Sequence, residues 1–112
     1  MSKNIIVRRK QEARNFMEGS EHCREYFSTE KITFGTSVLH PGQRGEVDKG
    51  HKEAEEVFFV IQGRVLVHFP DSGEYHELTE GDAILVPPAR PHMLINIGEN
   101  IAYLSWSCAP KP

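Results

Sequence analysis

The stretch VDKGHKEAEEVFFVIQG, residues 47 to 63, sets a histidine and three glutamates directly ahead of an apolar run that a glycine closes. If residues 56 to 62 form a strand, alternate side chains point to opposite faces, and Glu56 then shares a face with Phe58 and Val60. A carboxylate held among aromatic and aliphatic groups is costly to ionise unless a cation or hydrogen-bond donors compensate it. A divalent ion would do so, as would the ammonium of Lys49, which lies two residues from His51 and shares its face in an extended chain. His51 and Glu56 are therefore either part of a buried centre or the solvated edge of a strand, and a partner from elsewhere in the chain must decide which.

Other chemistry-bearing residues point less clearly to a site. Cys23 follows His22 directly, but neighbours on an extended chain point apart, so the two do not make a nucleophile and its base. Cys23 and Cys108 read as reduced thiols of a cytoplasmic protein. His22, His40, His68 and His76 have no ligand spacing and read as turn, surface or strand-edge residues; His68, two positions after Leu66, is the one that could reach a pocket. Arg90 sits in a turn, where it reads either as a solvated loop residue or as a bidentate grip on a carboxylate or phosphate.

The elements that must position these residues are mostly strands. From residue 31 onward, short segments rich in Val, Ile, Phe and Thr (FGTSVL, EVFFVIQ, RVLVHF, YHEL, AILVP, HMLINI, IAYLSW) alternate with turn signals such as HPGQ, QGR, PDSGE and TEGD. Seven or more strands at this spacing predict an all-β sandwich or barrel. Both faces of the strand at 56–62 are apolar, so its outer face expects a cover, either the N-terminal segment or a second copy in a homodimer. Ahead of the barrel, Ala13, Phe16 and Met17 fall at helical spacing and predict a short helix over residues 9 to 18. The expected organisation is an N-terminal arm at 1–30, a barrel at 31–109 and a tail at 110–112.

A chain of 112 residues, 38% hydrophobic, fits one core. A formal charge of −3 with dispersed basic residues offers no footprint for nucleic acid or an anionic membrane, and the N-terminal apolar patch is too short for a signal core or a span. A small-molecule partner is the expectation.

The stretch GDAILVPPARPHMLIN, residues 81 to 96, supplies the missing partner. Its Gly81, Pro87, His92 and Asn96 fall at the intervals of the second signature of the cupin superfamily, with Ala89 standing where that signature has a glycine. The first cupin signature resembles residues 49 to 63: Glu56 and Gly63 are correctly separated, His51 fits the second histidine slot, and Lys49 occupies the first. The opening glycine is displaced, since Gly42 falls one position too early. A rival placement, with His51 in the first slot and Glu53 in the second, leaves too few residues before Glu56.

The resemblance, covering about residues 33 to 107, implies a double-stranded β-helix (jelly-roll) barrel. It also implies His51, Glu56 and His92 as ligands of a divalent transition metal, Fe, Mn, Ni or Zn, with Lys49 as candidate catalytic acid or base. Lys49 in a histidine slot would place a fixed positive charge beside that metal, so a metal-free, ligand-binding or regulatory cupin, with Lys49 neutralising Glu56, stands as the alternative. Residues 86 to 106 are further similar to the sugar-phosphate isomerase branch, although the KGH run lacks that branch's next histidine. The implied function is a small metal-dependent enzyme of isomerase, dioxygenase or lyase type acting on a small organic molecule.

Overall fold

The computed structural model describes residues 4–112. Nine strands form two antiparallel sheets: β1 (Arg14–Glu18), β2 (Glu21–Ser28), β3 (Thr33–Leu39), β4 (Glu55–Gln62), β5 (Arg64–Phe69), β6 (Glu74–Thr79), β7 (Ala83–Val86), β8 (Met93–Asn96) and β9 (Ala102–Ala109). Their order is β1-β2-β3-β9-β4-β7 in the larger sheet and β6-β5-β8 in the smaller. The architecture is the expected all-β jelly roll.

The core lies between the sheets and follows the period of two that strands impose. Phe58 and Val60 from β4, Val65, Val67 and Phe69 from β5, and Ala102, Leu104 and Trp106 from β9 are all buried. Trp106 needs Gly35 opposite it on β3: a Cβ there would lie 2.3 Å from the indole and 2.3 Å from the Arg24 carbonyl. The outer face of β4 carries Val57, Phe59 and Ile61, and with Leu85 of β7 these are between 37% and 53% exposed. The segment Asn4–Val7 does not cover them, since Ile5, Ile6 and Val7 are themselves exposed.

Two local expectations change. The segment read as a helix contains only a 3-10 turn at Lys10–Glu12, and Arg14–Glu18 then pairs with β2 as an edge strand. Its inward side chains, Arg14, Phe16 and Glu18, face a polar cavity, so its alternation is not one of hydrophobicity. His68 points outward and stacks on Tyr75, with ring centroids 4.2 Å apart, so it does not reach the interior. Among the described residues, no helix is long and apolar enough to cross a membrane.

Candidate metal and substrate cavity

Between the sheets opens a cavity of about 210 Å³. That is below the ~300–1,000 Å³ typical of drug-sized sites, so its occupant must be small. Phe16, Phe58 and Trp106 supply its apolar walls, and six carboxylates line it: Glu18, Glu21, Glu25, Glu46, Asp48 and Glu56.

Glu56, on the inner face of β4, lies at the centre of the polar wall and is buried. His92 Nε2 lies 3.0 Å from Glu56 Oε1, and His51 Nε2 lies 3.9 Å from the same oxygen. The three side chains expected from the sequence thus meet at one carboxylate. Each histidine belongs to its own triad of ligand atoms within 4.8 Å of one another: His51, Glu56 and Cys108 in one, Asp48, Glu56 and His92 in the other.

His92 is oriented by the turn that precedes it. Its Nδ1 lies 2.8 Å from the Arg90 carbonyl, an acceptor, so Nδ1 carries a proton and Nε2 is the nitrogen turned toward Glu56. Burial alone would lower the pKa of His92. Its hydrogen bonds to Glu56 and the Arg90 carbonyl, together with the charges of Glu56 and Asp48, outweigh that and raise it above the ordinary histidine value. Ala89, where the family signature has glycine, adopts φ +60°, the left-handed conformation that glycine takes without penalty. The signature asparagine, Asn96, is a fastener: its Nδ2 donates to the carbonyls of Leu39 and Asn100, and its Oδ1 accepts from the Gly98 amide.

Lys49 is exposed and absent from the cavity wall; Asp48 lines it instead. The reason is backbone geometry. A two-residue bridge with His92 holds Asp48 against β8, with Asp48 N to His92 O and His92 N to Asp48 O both at 2.8 Å. Gly50 then takes φ +84°, which ends the extended alternation that would have put positions 49 and 51 on one face. Asp48 Oδ2 comes within 3.8 Å of His92 Nε2, while Oδ1 accepts from the Gly50 amide. Arg90 is engaged elsewhere, in a bidentate pair with Asp71.

The sequence reading also missed the wall formed by β1 and β2. Burial, with the charges of Glu21, Asp48 and Glu56, pushes the Glu18 carboxyl up to about 7. Burial likewise raises Glu21, against the pull of hydrogen bonds from Ser37 and Cys23. Burial and the neighbouring carboxylates push both thiols, Cys23 and Cys108, well above the usual range, and both are unbridged.

A carboxylate-rich cavity with two histidines and neighbouring acids held partly protonated suits a divalent cation. The donor set offers imidazole and carboxylate, and the fixed Nδ1 proton leaves His92 Nε2 as its only ligating nitrogen.

Comparison with known proteins agrees with this architecture. The family model described as "Cupin domain" matches residues 35–108, and the chain belongs to the cupin family. Among curated relatives, an uncharacterized protein of Methanocaldococcus jannaschii is 34% identical over 82 residues, covering 73% of this chain and 62% of that protein. A glucose-6-phosphate isomerase of Thermococcus litoralis is 32% identical over 78 residues, covering 61% of this chain and 41% of the isomerase. The chain therefore spans less than two thirds of the length of either relative. Among solved structures, KdgF from a Halomonas species has a TM-score of 0.78 at 17% identity, covering 97% of this chain and 96% of that one. A predicted oxalate decarboxylase from Thermotoga maritima has a TM-score of 0.78 at 18% identity, with coverages of 94% and 99%. Likeness at these identities concerns the fold.

Proposed function

We propose that this chain is a metal-dependent cupin enzyme that acts on a small, uncharged or weakly charged organic molecule, with His51, Glu56 and His92 as the protein ligands of a divalent transition metal. The observation that carries this reading is the meeting of both histidines at the buried Glu56 carboxylate. When bound, such an ion supplies Lewis acidity toward a carbonyl or hydroxyl oxygen. The chain's own residues do the rest: the Arg90 carbonyl fixes the His92 ring, Asp48 stands beside its Nε2, and Phe16, Phe58 and Trp106 exclude water from the substrate. The exposed position of Lys49 removes the fixed charge that would have repelled a metal, and it leaves no support for Lys49 as the acid or base.

The isomerase relatives make hydroxy-carbonyl isomerisation the first reaction to assay. A phosphorylated substrate fits poorly. The cavity's one arginine, Arg14, is paired with Glu25, and six carboxylates face any incoming anion. A metal-free binding role has one observation in its favour, the 3.0 Å His92–Glu56 contact, which satisfies both groups without an ion.

Elemental analysis of untagged protein decides between these readings. The expected result is one equivalent of Fe, Mn, Ni or Zn per chain, lost in His92→Ala. Protein that stays metal-free when offered all four ions would overturn the enzyme reading in favour of the binding role. We also propose that a second copy covers the open outer face of β4 and β7, giving a homodimer. Light scattering should show two chains per particle, with Phe59→Glu shifting the protein to monomer.

A further inference from the structure

The centre described above has a sulfur atom on its wall that none of the signature residues provides. Cys108 lies on β9 directly opposite Glu56 on β4, and its side chain faces inward with those of Leu104 and Trp106. It is buried and lines the cavity beside Glu56. Its Sγ, a His51 ring nitrogen and a Glu56 oxygen lie within 4.8 Å of one another. Ligands sharing a tetrahedral ion at bonds of about 2.0–2.3 Å sit roughly 3.3–3.8 Å apart, so a small inward shift of these side chains would let all three reach one ion.

We propose that Cys108 is a ligand of the same centre, making its donor set nitrogen, oxygen and sulfur and tuning it toward zinc or ferrous iron and away from manganese. The inference rests on the metal reading above. Coordination breaks the S–H bond, forms a sulfur–metal bond and releases one proton to solvent; no electron changes hands. Hard, oxygen-preferring ions gain little from a thiolate, whereas zinc and ferrous iron gain much, so the sulfur sets selectivity. Cys23, the chain's other cysteine, provides an internal control. Its Sγ contacts Glu21 Oε2 at 3.4 Å and Ser37 Oγ at 3.6 Å, in a triad with Glu18 and Glu21 that does not include Glu56.

Cobalt(II) loading of the full chain tests this, because cobalt–thiolate bonds give an intense near-ultraviolet charge-transfer band that nitrogen and oxygen ligands do not. The expected result is one equivalent of cobalt with the band present in the wild type and in Cys23→Ser, and the band lost in Cys108→Ser. Competition should show the zinc-over-manganese preference of the wild type narrowing in Cys108→Ser. If Cys108→Ser does not fold, the band retained in Cys23→Ser still assigns the sulfur to Cys108. Stoichiometric cobalt without the band, or a band that vanishes in Cys23→Ser, would overturn the sulfur assignment and leave the metal reading standing. Failure of the wild type to take up cobalt, zinc, iron, manganese or nickel would overturn both.

Discussion

The two walls of the cavity solve the same electrostatic problem in different ways. On the wall built by β4, β8 and the β3–β4 loop, the Glu56 carboxylate faces two imidazoles, and the nearer one, His92, has its pKa raised in return. On the wall built by β1 and β2, Glu18 and Glu21 lie close to Asp48 and Glu56, so burial, with that repulsion, drives them toward protonation. One wall is balanced by bases, the other by protons. The lesson is that a cation entering the cavity gains from both: it replaces a proton beside Glu56 and relieves repulsion across the gap.

The largest expected effect comes from unbalancing the first wall. His92→Ala leaves the buried Glu56 without its closest partner, and breaking a buried pair from one side costs about 3–5 kcal/mol. Chemical denaturation should show this loss, and His92→Ala with Glu56→Gln should recover part of it. A double variant no more stable than the single one would mean that the two walls do not differ as described.

The next effect concerns pH and the second wall. In metal-free protein, the folded-state pKa of Glu18 is raised from 4.5 to about 7, so the folded state binds this proton more tightly than the unfolded chain. Its contribution to stability is complete below about 4.5 and is lost as pH rises to about 7. The raised His92 acts with the same sign, its contribution disappearing above the ordinary histidine range. Melting temperatures in chelator should therefore fall across this span, and Glu18→Gln should flatten the lower part of the decline. A flat profile in the wild type would remove the contrast between the walls.

The smallest effect tests a support of the first wall. Ala89→Gly relieves a left-handed residue, a gain of about 1–2 kcal/mol offset by about 0.5–1 kcal/mol of added unfolded-state entropy. The net expectation is a rise in melting temperature of a few degrees at most, with metal content unchanged.

How much of this was legible in the sequence follows from where strand alternation holds. It held for β4, which placed Glu56 inward with Phe58 and Val60 and left Val57, Phe59 and Ile61 outside. It failed at Lys49, because the parity assumed between positions 49 and 51 is broken by the positive φ of Gly50, a feature that one glycine letter does not announce. It failed at β1, whose inner face is polar because it lines a cavity, so that Phe16 and Met17 suggested a helix instead. Cys108 was within reach of sequence reasoning: continuing the β9 alternation from Leu104 and Trp106 by one more step places it inward. Glu18 and Glu21 gave no signal, since they precede the region that resembles the family and only the folded sheet brings them to the cavity.

The hydrogen bond from His92 to the Arg90 carbonyl has a chemical consequence for occupancy. With one ring nitrogen committed, a hydrogen ion and the proposed metal ion would contend for a single lone pair. Acidification should therefore empty the centre and alkalinity should fill it, so loading would follow the acidity of the surroundings as well as the supply of metal.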